Sequence, residues 1–283
     1  MKKFGIIGPG AVGTAIAYAL NQSGHNVALF GRSNSTVLFQ EYNHSVQHEF
    51  TVHALQDAHE QVDILFIAVK TTQLDSIIPY LNNNVIHSNS VIILTQNGYG
   101  QLQKINHPYK YHAVVYISGQ KDKNSVTHFR DWTLKLPLDN NTLDLQAVTQ
   151  DSLLNIECLE DYPEHVWYKL IVNLGINTVT ALTRQPAVVL KSNEVKTLCY
   201  NLLVEGKRVA EAENIHFDDD LEESIMKIYE GYPDDMGTSM YYDMMNTRPL
   251  ETQYIQGYIY NLSQKHQLST PYIESTYAIL STF

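Results

Sequence analysis

Three polar residues share one face of an otherwise apolar segment. In His165–Leu182, HVWYKLIVNLGINTVTAL, Lys169, Asn173 and Asn177 recur at steps of four. On a helix each such step turns the chain by only about 40°, so the three side chains line up. Trp167, Leu170, Ile171, Val172, Leu174 and Ile176 fill much of the remaining circumference. An ammonium without a partner among apolar neighbours is costly, and it shifts its pKa or finds a counter-group. The stripe reads in two ways. It is either a lysine that snorkels to water beside two capped asparagines, or the wall of a cavity where a cation and two amides meet a ligand.

A second chemical group opens the chain. FGIIGPGAVGTAIAYAL sets Gly8, Gly10 and Gly13 as GxGxxG between an apolar strand, Phe4–Ile7, and a helical pattern, Ala11–Gln22. The bare spacing is weak evidence, but the strand-turn-helix context is what a dinucleotide site requires. Gly8 permits the tight turn, Gly10 the approach of a pyrophosphate, and Gly13 the packing of helix on strand. Pro9, Ala11 and Val12 complete the loop, whose free N–H groups at the helix start would face the anion. An NAD site carries Asp or Glu at the end of the second strand, roughly 20 residues on. Here that position reads Phe30-Gly31-Arg32-Ser33, without an acid. The Arg32 guanidinium suits a ribose 2′-phosphate, and Lys70, closing DILFIAVK, would add a second cation at the same edge. Both residues also fit as ordinary surface cations. The expected cofactor is NADPH/NADP+. Asn97-Gly98 in ILTQNGYG is either a plain turn or a binding turn at the nicotinamide end of the crevice.

These residues need elements to hold them. Short apolar runs at Phe4–Ile7, Val27–Phe30, Phe50–Leu55, Val62–Val69, Val91–Leu94 and Ala113–Ile117 read as strands, and Ala11–Gln22 and Leu74–Leu81 as helices. That alternation implies a mostly parallel sheet covered on both faces. Val126–Leu136 alternates in polarity and predicts one edge strand or hairpin, and Asp144–Leu154 another helix. Beyond about residue 160 the pattern is all helical: His165–Leu182, Glu194–Glu213, Leu221–Tyr229, Met240–Met245, Glu251–Lys265 and Pro271–Leu280, punctuated by GYPDDMG and NTRPLE. The expected organisation is an α/β Rossmann-type domain, residues 1–160, and an all-helical domain, residues 161–283.

Composition narrows the partners. The 283 residues carry a formal net charge of −11, which disfavours a nucleic-acid partner but not a small anion held by local cations. Met1-Lys2-Lys3 and a charge-free stretch to Leu20 outline a signal peptide, but the glycines and Pro9 there already have a reading. No other stretch approaches a membrane span. Cys158 and Cys199, far apart, suit a reducing cytosol. His44, His48 and His53 lack a paired-ligand framework, so no metal is expected.

GPGAVG, AVKTTQL, QNGYG, WYKLIVNLGINTVTAL and TSMYYDMMNTRPLETQYIQG occur in this order. Together they resemble the ketopantoate reductase (2-dehydropantoate 2-reductase) family over essentially the whole chain, the last two being the most specific. The resemblance implies NADPH-dependent reduction of 2-dehydropantoate to (R)-pantoate, for pantothenate and coenzyme A, in the cytoplasm, by a monomer or homodimer with its active site in the interdomain cleft. Residue by residue, it implies that Lys169 is catalytic and that Asn97 lies beside nicotinamide and substrate. Asn173 and Asn177 bind substrate, Ser239 helps to hold it, and Glu251 lies near the lysine and the cofactor ribose. From the residues alone, Ser239 also reads as a helix N-cap and Glu251 as a first-turn acid.

The chemistry is consistent with that assignment. Hydride delivery to a ketone leaves charge on oxygen, which needs a proton or a strong hydrogen bond. A lysine whose pKa falls from about 10.4 toward roughly 7–8 serves as general acid. Burial lowers it, and a neighbouring Glu251 would raise it. Alternatives are a reductase of another branched 2-oxo acid or related β-hydroxyacid, and a non-catalytic NADPH-binding regulator. Tyr99 and Gln101 receive no role.

Overall fold

Successive residues of the central strands feed two different cores. Phe4, Ile6, Leu29, Ile64, Phe66 and Ile93 belong to one buried cluster. Ile7, Phe30, Leu65, Ile67, Ile92 and Leu94 belong to another. Side chains alternate across a strand, so a strand covered on both faces must be apolar throughout, and this is why these segments read as unbroken runs.

The computed structural model describes residues 2–81 and 85–283. The chain divides into two compact units, Met1–Asn97 with Gln101–Tyr162, and Gly98–Gly100 with Pro163–Phe283. The strands are β1 (Lys3–Ile7), β2 (Asn26–Gly31), β3 (Ser35–Glu41), β4 (His48–Ala54), β5 (Val62–Ile67), β6 (Ile86–Leu94), β7 (Lys110–His112), β8 (Val114–Val115), β9 (Ser118–Asp122), β10 (Ser125–Arg130), β11 (Thr133–Pro137) and β12 (Asn155–Leu159). The first unit also holds helices α1 (Ala11–Gln22), α2 (Leu74–Tyr80) and α3 (Asn140–Thr149).

The main sheet runs β7-β6-β5-β1-β2-β4-β3-β10-β9. From β7 to β4 every pairing is parallel. Counting only those six strands, the order is that of a doubly wound dinucleotide-binding sheet, in which strand order reverses beside β1. β3 is a hairpin strand antiparallel to β4, and β10 extends the sheet from it. α1 is buried along eight consecutive residues, Gly13–Leu20, because β9 and β10, at the far end of the same sheet, pack on it as well as β1, β2 and β3.

The segment Val126–Leu136 is not one strand or hairpin. It is two strands in different sheets: β10 joins β9 and β3, whereas β11 joins β12 and β8. Asp131 between them takes φ +63, and the Trp132 ring stacks on His128 at 3.8 Å. That left-handed residue and the half-buried indole turn the chain out of one sheet into the other.

The second unit is built on α4 (Tyr162–Thr183), a helix of 22 residues. Around it lie α5 (Asn193–Ala212), α6 (Leu221–Glu230), α7 (Ser239–Met245), α8 (Gln256–Lys265) and α9 (Pro271–Leu280). Two glycines let α4 and α5 approach: a Cβ at Gly175 would lie 2.8 Å from Leu203 Cδ2, and one at Gly206 would lie 2.9 Å from Leu174 Cδ2. The Tyr229 hydroxyl of α6 donates to the Val172 carbonyl at 2.6 Å. The Glu205 carboxylate accepts from the first-turn amides of α9, Tyr272 at 3.1 Å and Ile273 at 2.8 Å. Glu251–Lys265 is not one continuous helix. A 3₁₀ turn over Thr252–Tyr254 precedes α8, and Ile255 between them has φ −111 and ψ −80, outside the helical range.

Gly175→Ala tests the close crossing. Alanine would gain about 1 kcal/mol of helix propensity, but its methyl would also meet the Tyr229 hydroxyl at 2.9 Å and Cys199 Sγ at 3.2 Å. Overpacking of this kind costs roughly 1–3 kcal/mol. The expected outcome is a net loss of stability, read as a lower urea midpoint; a midpoint at or above wild type would show that the crossing has slack.

Candidate active site

The glycine turn follows β1 directly. Gly8 N donates to the Phe30 carbonyl at 2.9 Å, and Ala68 N to that of Ile7 at 2.8 Å, which ties the turn to β2 and to the loop after β5. Gly8 has φ +112, and a Cβ there would lie 2.7 Å from the Ala68 backbone. A Cβ on Gly13 would lie 2.1 Å from the Gly8 carbonyl. Gly10 differs: an added Cβ would meet no heavy atom within 4 Å. Two glycines are thus demanded by the protein's own packing, and the third opens onto free space.

Gly10 caps α1 without a side-chain hydrogen bond, and the first turn contains no acid. Its amides are therefore oriented toward an anion with no internal carboxylate competing for them. Pro9, Ala11 and Val12 are half-buried around this opening. One contact here was not anticipated from the sequence: the Lys121 ammonium donates to the Pro9 carbonyl at 2.6 Å.

Arg32 is exposed and follows β2 immediately. Lys70 does not end a strand. β5 stops at Ile67, and half-buried Lys70 lies in the loop that leads into the 3₁₀ turn Thr71–Gln73. That loop is fastened to the one after β6: Thr95 N and Oγ1 both donate to the Ile67 carbonyl, at 2.9 and 3.1 Å, and Gln96 Nε2 donates to that of Val69 at 2.7 Å. Next comes Asn97, whose carbonyl accepts from Gln101 Nε2 at 2.8 Å. The Gly8–Gly13 turn, Arg32, Lys70 and Asn97 thus all follow the carboxyl ends of parallel strands, the edge at which such sheets bind ligands.

Asn97-Gly98 is more than a loose turn. Gly98 has φ +77, and a Cβ there would lie 2.3 Å from the Tyr254 carbonyl, which also accepts from Tyr99 N at 2.8 Å. The Tyr99 ring meets Tyr258 edge-on at 5.5 Å, and Tyr258 lies 6.2 Å from Trp167. Burial pushes the Tyr258 phenol up to about 12, so it stays protonated at neutral pH.

On α4, Lys169 is half-buried, and Asn173 and Asn177 are buried, at 9% and 4% exposure. Among the described residues neither asparagine amide has a hydrogen-bond partner. Thr178 and Thr180, by contrast, are both buried and satisfied. Thr178 Oγ1 accepts from Gln256 Nε2 at 2.9 Å, and Thr180 Oγ1 lies 2.8 Å from Thr238 Oγ1. Thr180 stands three residues beyond Asn177, at the end of the polar stripe, and its partner immediately precedes Ser239. The structure therefore brings the asparagine end of the stripe up to the start of α7.

Two local roles differ from the sequence reading. Ser239 is not the N-cap of α7. Thr238 is, with its hydroxyl accepting from Tyr241 N at 3.1 Å, while Ser239 is the first helical residue and half-buried. Glu251 is not a first-turn acid of a long helix. It precedes the 3₁₀ turn, is 2% exposed, and accepts through its carbonyl from Tyr254 N at 3.0 Å. Thr178, Thr180, Thr238, Gln256 and Tyr258 went unnoticed in the sequence. Only Thr180, which extends the stripe, and Thr238, a capping residue type before a helix, carry a local signal.

The chain matches two family models. Residues 4–137 match that described as ketopantoate reductase PanE/ApbA, and residues 161–283 match its C-terminal counterpart. A solved dimeric ketopantoate reductase from Staphylococcus aureus is 44% identical over 99% of this chain and 98% of its own, with a TM-score of 0.95. The curated 2-dehydropantoate 2-reductase of Mycobacterium tuberculosis is 27% identical over 94% of this chain and 92% of its own. That of Vibrio cholerae is 24% identical over 98% and 96%. A doubly wound sheet with a glycine turn, followed by a helical unit around a polar-striped helix, is thus found in a chain that belongs to the ketopantoate reductase family of oxidoreductases.

Proposed function

We propose that the protein reduces 2-dehydropantoate to (R)-pantoate with NADPH, supplying pantoate for pantothenate and coenzyme A. The observation that carries this reading is the face of α4 on which Lys169 leads to two asparagines of low exposure whose amides have no hydrogen-bond partner among the described residues. Amides committed to no other protein group keep their donors and acceptors for a ligand.

The substrate has groups to match: a carboxylate, a keto oxygen and a hydroxyl. The Asn173 and Asn177 amides donate to the carboxylate and hydroxyl without adding a cation beside Lys169. The Ser239 hydroxyl, at the start of α7, adds one more contact. Lys169 aims a proton at the keto oxygen, where charge develops. Glu251 holds the lysine ammonium and lies near the cofactor ribose, and Asn97 orients substrate and nicotinamide. The bound nicotinamide supplies hydride to the keto carbon.

The residues fit that cofactor. Gly10 leaves open space, α1 offers amides without a competing acid, and Arg32 follows β2 where NAD sites carry an acid. Arg32 and Lys70 would hold the 2′-phosphate, with the Gly8–Gly13 turn around the pyrophosphate. The dimeric S. aureus relative supports a homodimer, and a cytoplasmic location suits this biosynthetic role.

The reaction is tested by following NADPH absorbance with ketopantoate and a panel of other branched 2-oxo acids. Selective consumption with ketopantoate is expected; preference for another acid would move the substrate assignment, and binding without turnover would favour a regulator. Lys169→Ala should lower kcat at least 10²-fold, in line with loss of a general acid, while NADPH still binds. Turnover near wild type would mean that another group donates the proton. Arg32→Ala should weaken NADPH by roughly 10- to 100-fold, as removal of a charge-assisted contact does, and leave NADH little changed. Equal losses for the two dinucleotides would remove the 2′-phosphate clamp.

A further inference from the structure

We propose that Lys121, on β9, is a further cofactor-binding residue: it props the glycine turn and supplies the cation that faces the dinucleotide pyrophosphate. This rests on the reading of the Gly8–Gly13 turn as a dinucleotide site. The residue is 112 positions from Pro9 in sequence, and β9 brings the two together.

The geometry begins with the approach of β9 to α1. Gly119, on the same strand, marks that approach and is itself required by the close pairing with β10. A Cβ there would clash with the Thr127 carbonyl of β10 at 2.8 Å and would lie in ordinary contact, 3.6 Å, with the Ala11 Cβ at the first residue of α1. Two residues on, the strand alternation returns to the same face. Lys121 then reaches the Pro9 carbonyl at 2.6 Å. That bond uses one of three ammonium donors, and two remain for a ligand beside the turn.

Its place sets Lys121 apart: half-buried Lys110 likewise donates to a backbone carbonyl, that of Ile105 at 2.6 Å, but among the described residues only Lys121 does so at the turn that opens α1. Several exposed lysines pair with carboxylates: Lys3 with Glu60, Lys104 with Asp75, Lys196 with Glu230 and Lys265 with Glu213. Buried Lys207 has Glu222 at 3.4 Å. Half-buried Lys121 has no carboxylate partner among the described residues, and burial lowers its pKa. A partly desolvated ammonium without a counter-ion next to helix amides without an acid leaves one charge to be supplied from outside, and that charge is negative. The pyrophosphate is common to NADH and NADPH, so Lys121 serves both dinucleotides, unlike Arg32.

Fluorescence titration of the full chain with NADPH and with NADH tests this, using wild type, Lys121→Met, Lys121→Gln and Lys121→Arg. Lys121→Met is expected to weaken both dinucleotides by roughly tenfold or more and to flatten the dependence of Kd on salt. Lys121→Arg should recover most of the affinity. Lys121→Gln, which keeps a donor for Pro9 but no charge, should resemble Lys121→Met and guards against a methionine variant that fails to fold. Wild-type affinity in Lys121→Gln, or an unchanged salt dependence, would overturn the proposal and leave Lys121 as a prop alone. Loss of NADPH affinity with NADH untouched would overturn it as well, by moving the lysine to the 2′-phosphate. If wild type binds neither dinucleotide, the glycine-turn reading fails first, and Lys121 with it.

Discussion

A helix buried on nearly every side must satisfy each polar side chain it carries, and α4 shows how this chain meets that requirement. Four buried polar residues lie between positions 173 and 180. The two threonines are completed by Gln256 and Thr238, contacts that also fix α8 and the start of α7 against α4. The two asparagines receive no such partner. Gly175, between them in sequence, lets α5 press close, and Tyr229 pins α6 to a carbonyl one turn earlier. The same helix is therefore clamped rigidly by some of its polar groups and left open at others. Preorganised donors at fixed positions are what a site that stabilises developing charge requires.

The first unit follows a similar division among its glycines. Gly8 and Gly13 are filled by neighbouring backbone, and substitution at either would force the turn apart. Gly10 faces nothing. The turn is thus rigid where it meets the protein and vacant where a phosphate would approach. The hydrogen bonds from Thr95 and Gln96 to the loop after β5 fix Lys70 and Asn97 in the same manner, through backbone and not through the functional side chains themselves.

How much of this was legible depended on range along the chain. The glycine turn was readable because its cause is local, and so was α1, whose bounds match the apolar pattern. The stripe on α4 followed from periodicity alone. β9 gave no signal, because SGQKD is polar and pairs with a single neighbour at the sheet edge. β3 and β12 were missed too: β3 pairs on both sides but buries only Val37 and Phe39 fully, and β12 is a five-residue edge strand, so neither needs a continuous apolar run. The break at Ile255 and the choice of Thr238 over Ser239 as cap were also hidden: adjacent residues of similar propensity are separated only by tertiary contacts. Lys121 was beyond reach, because its meaning lies entirely in a contact with Pro9.

Gly98–Gly100 belong with the helical unit although the chain on both sides of them belongs to the other. The helical unit is therefore not a contiguous stretch of polypeptide, and no single cut in the chain can release it whole. A fragment beginning at Pro163 would lack the Tyr99 amide that satisfies the Tyr254 carbonyl and the ring that packs on Tyr258. During synthesis those three residues leave the ribosome before any of the helices they join. They remain without their native partners until the chain has been made to Tyr258, so this part of the fold is completed late.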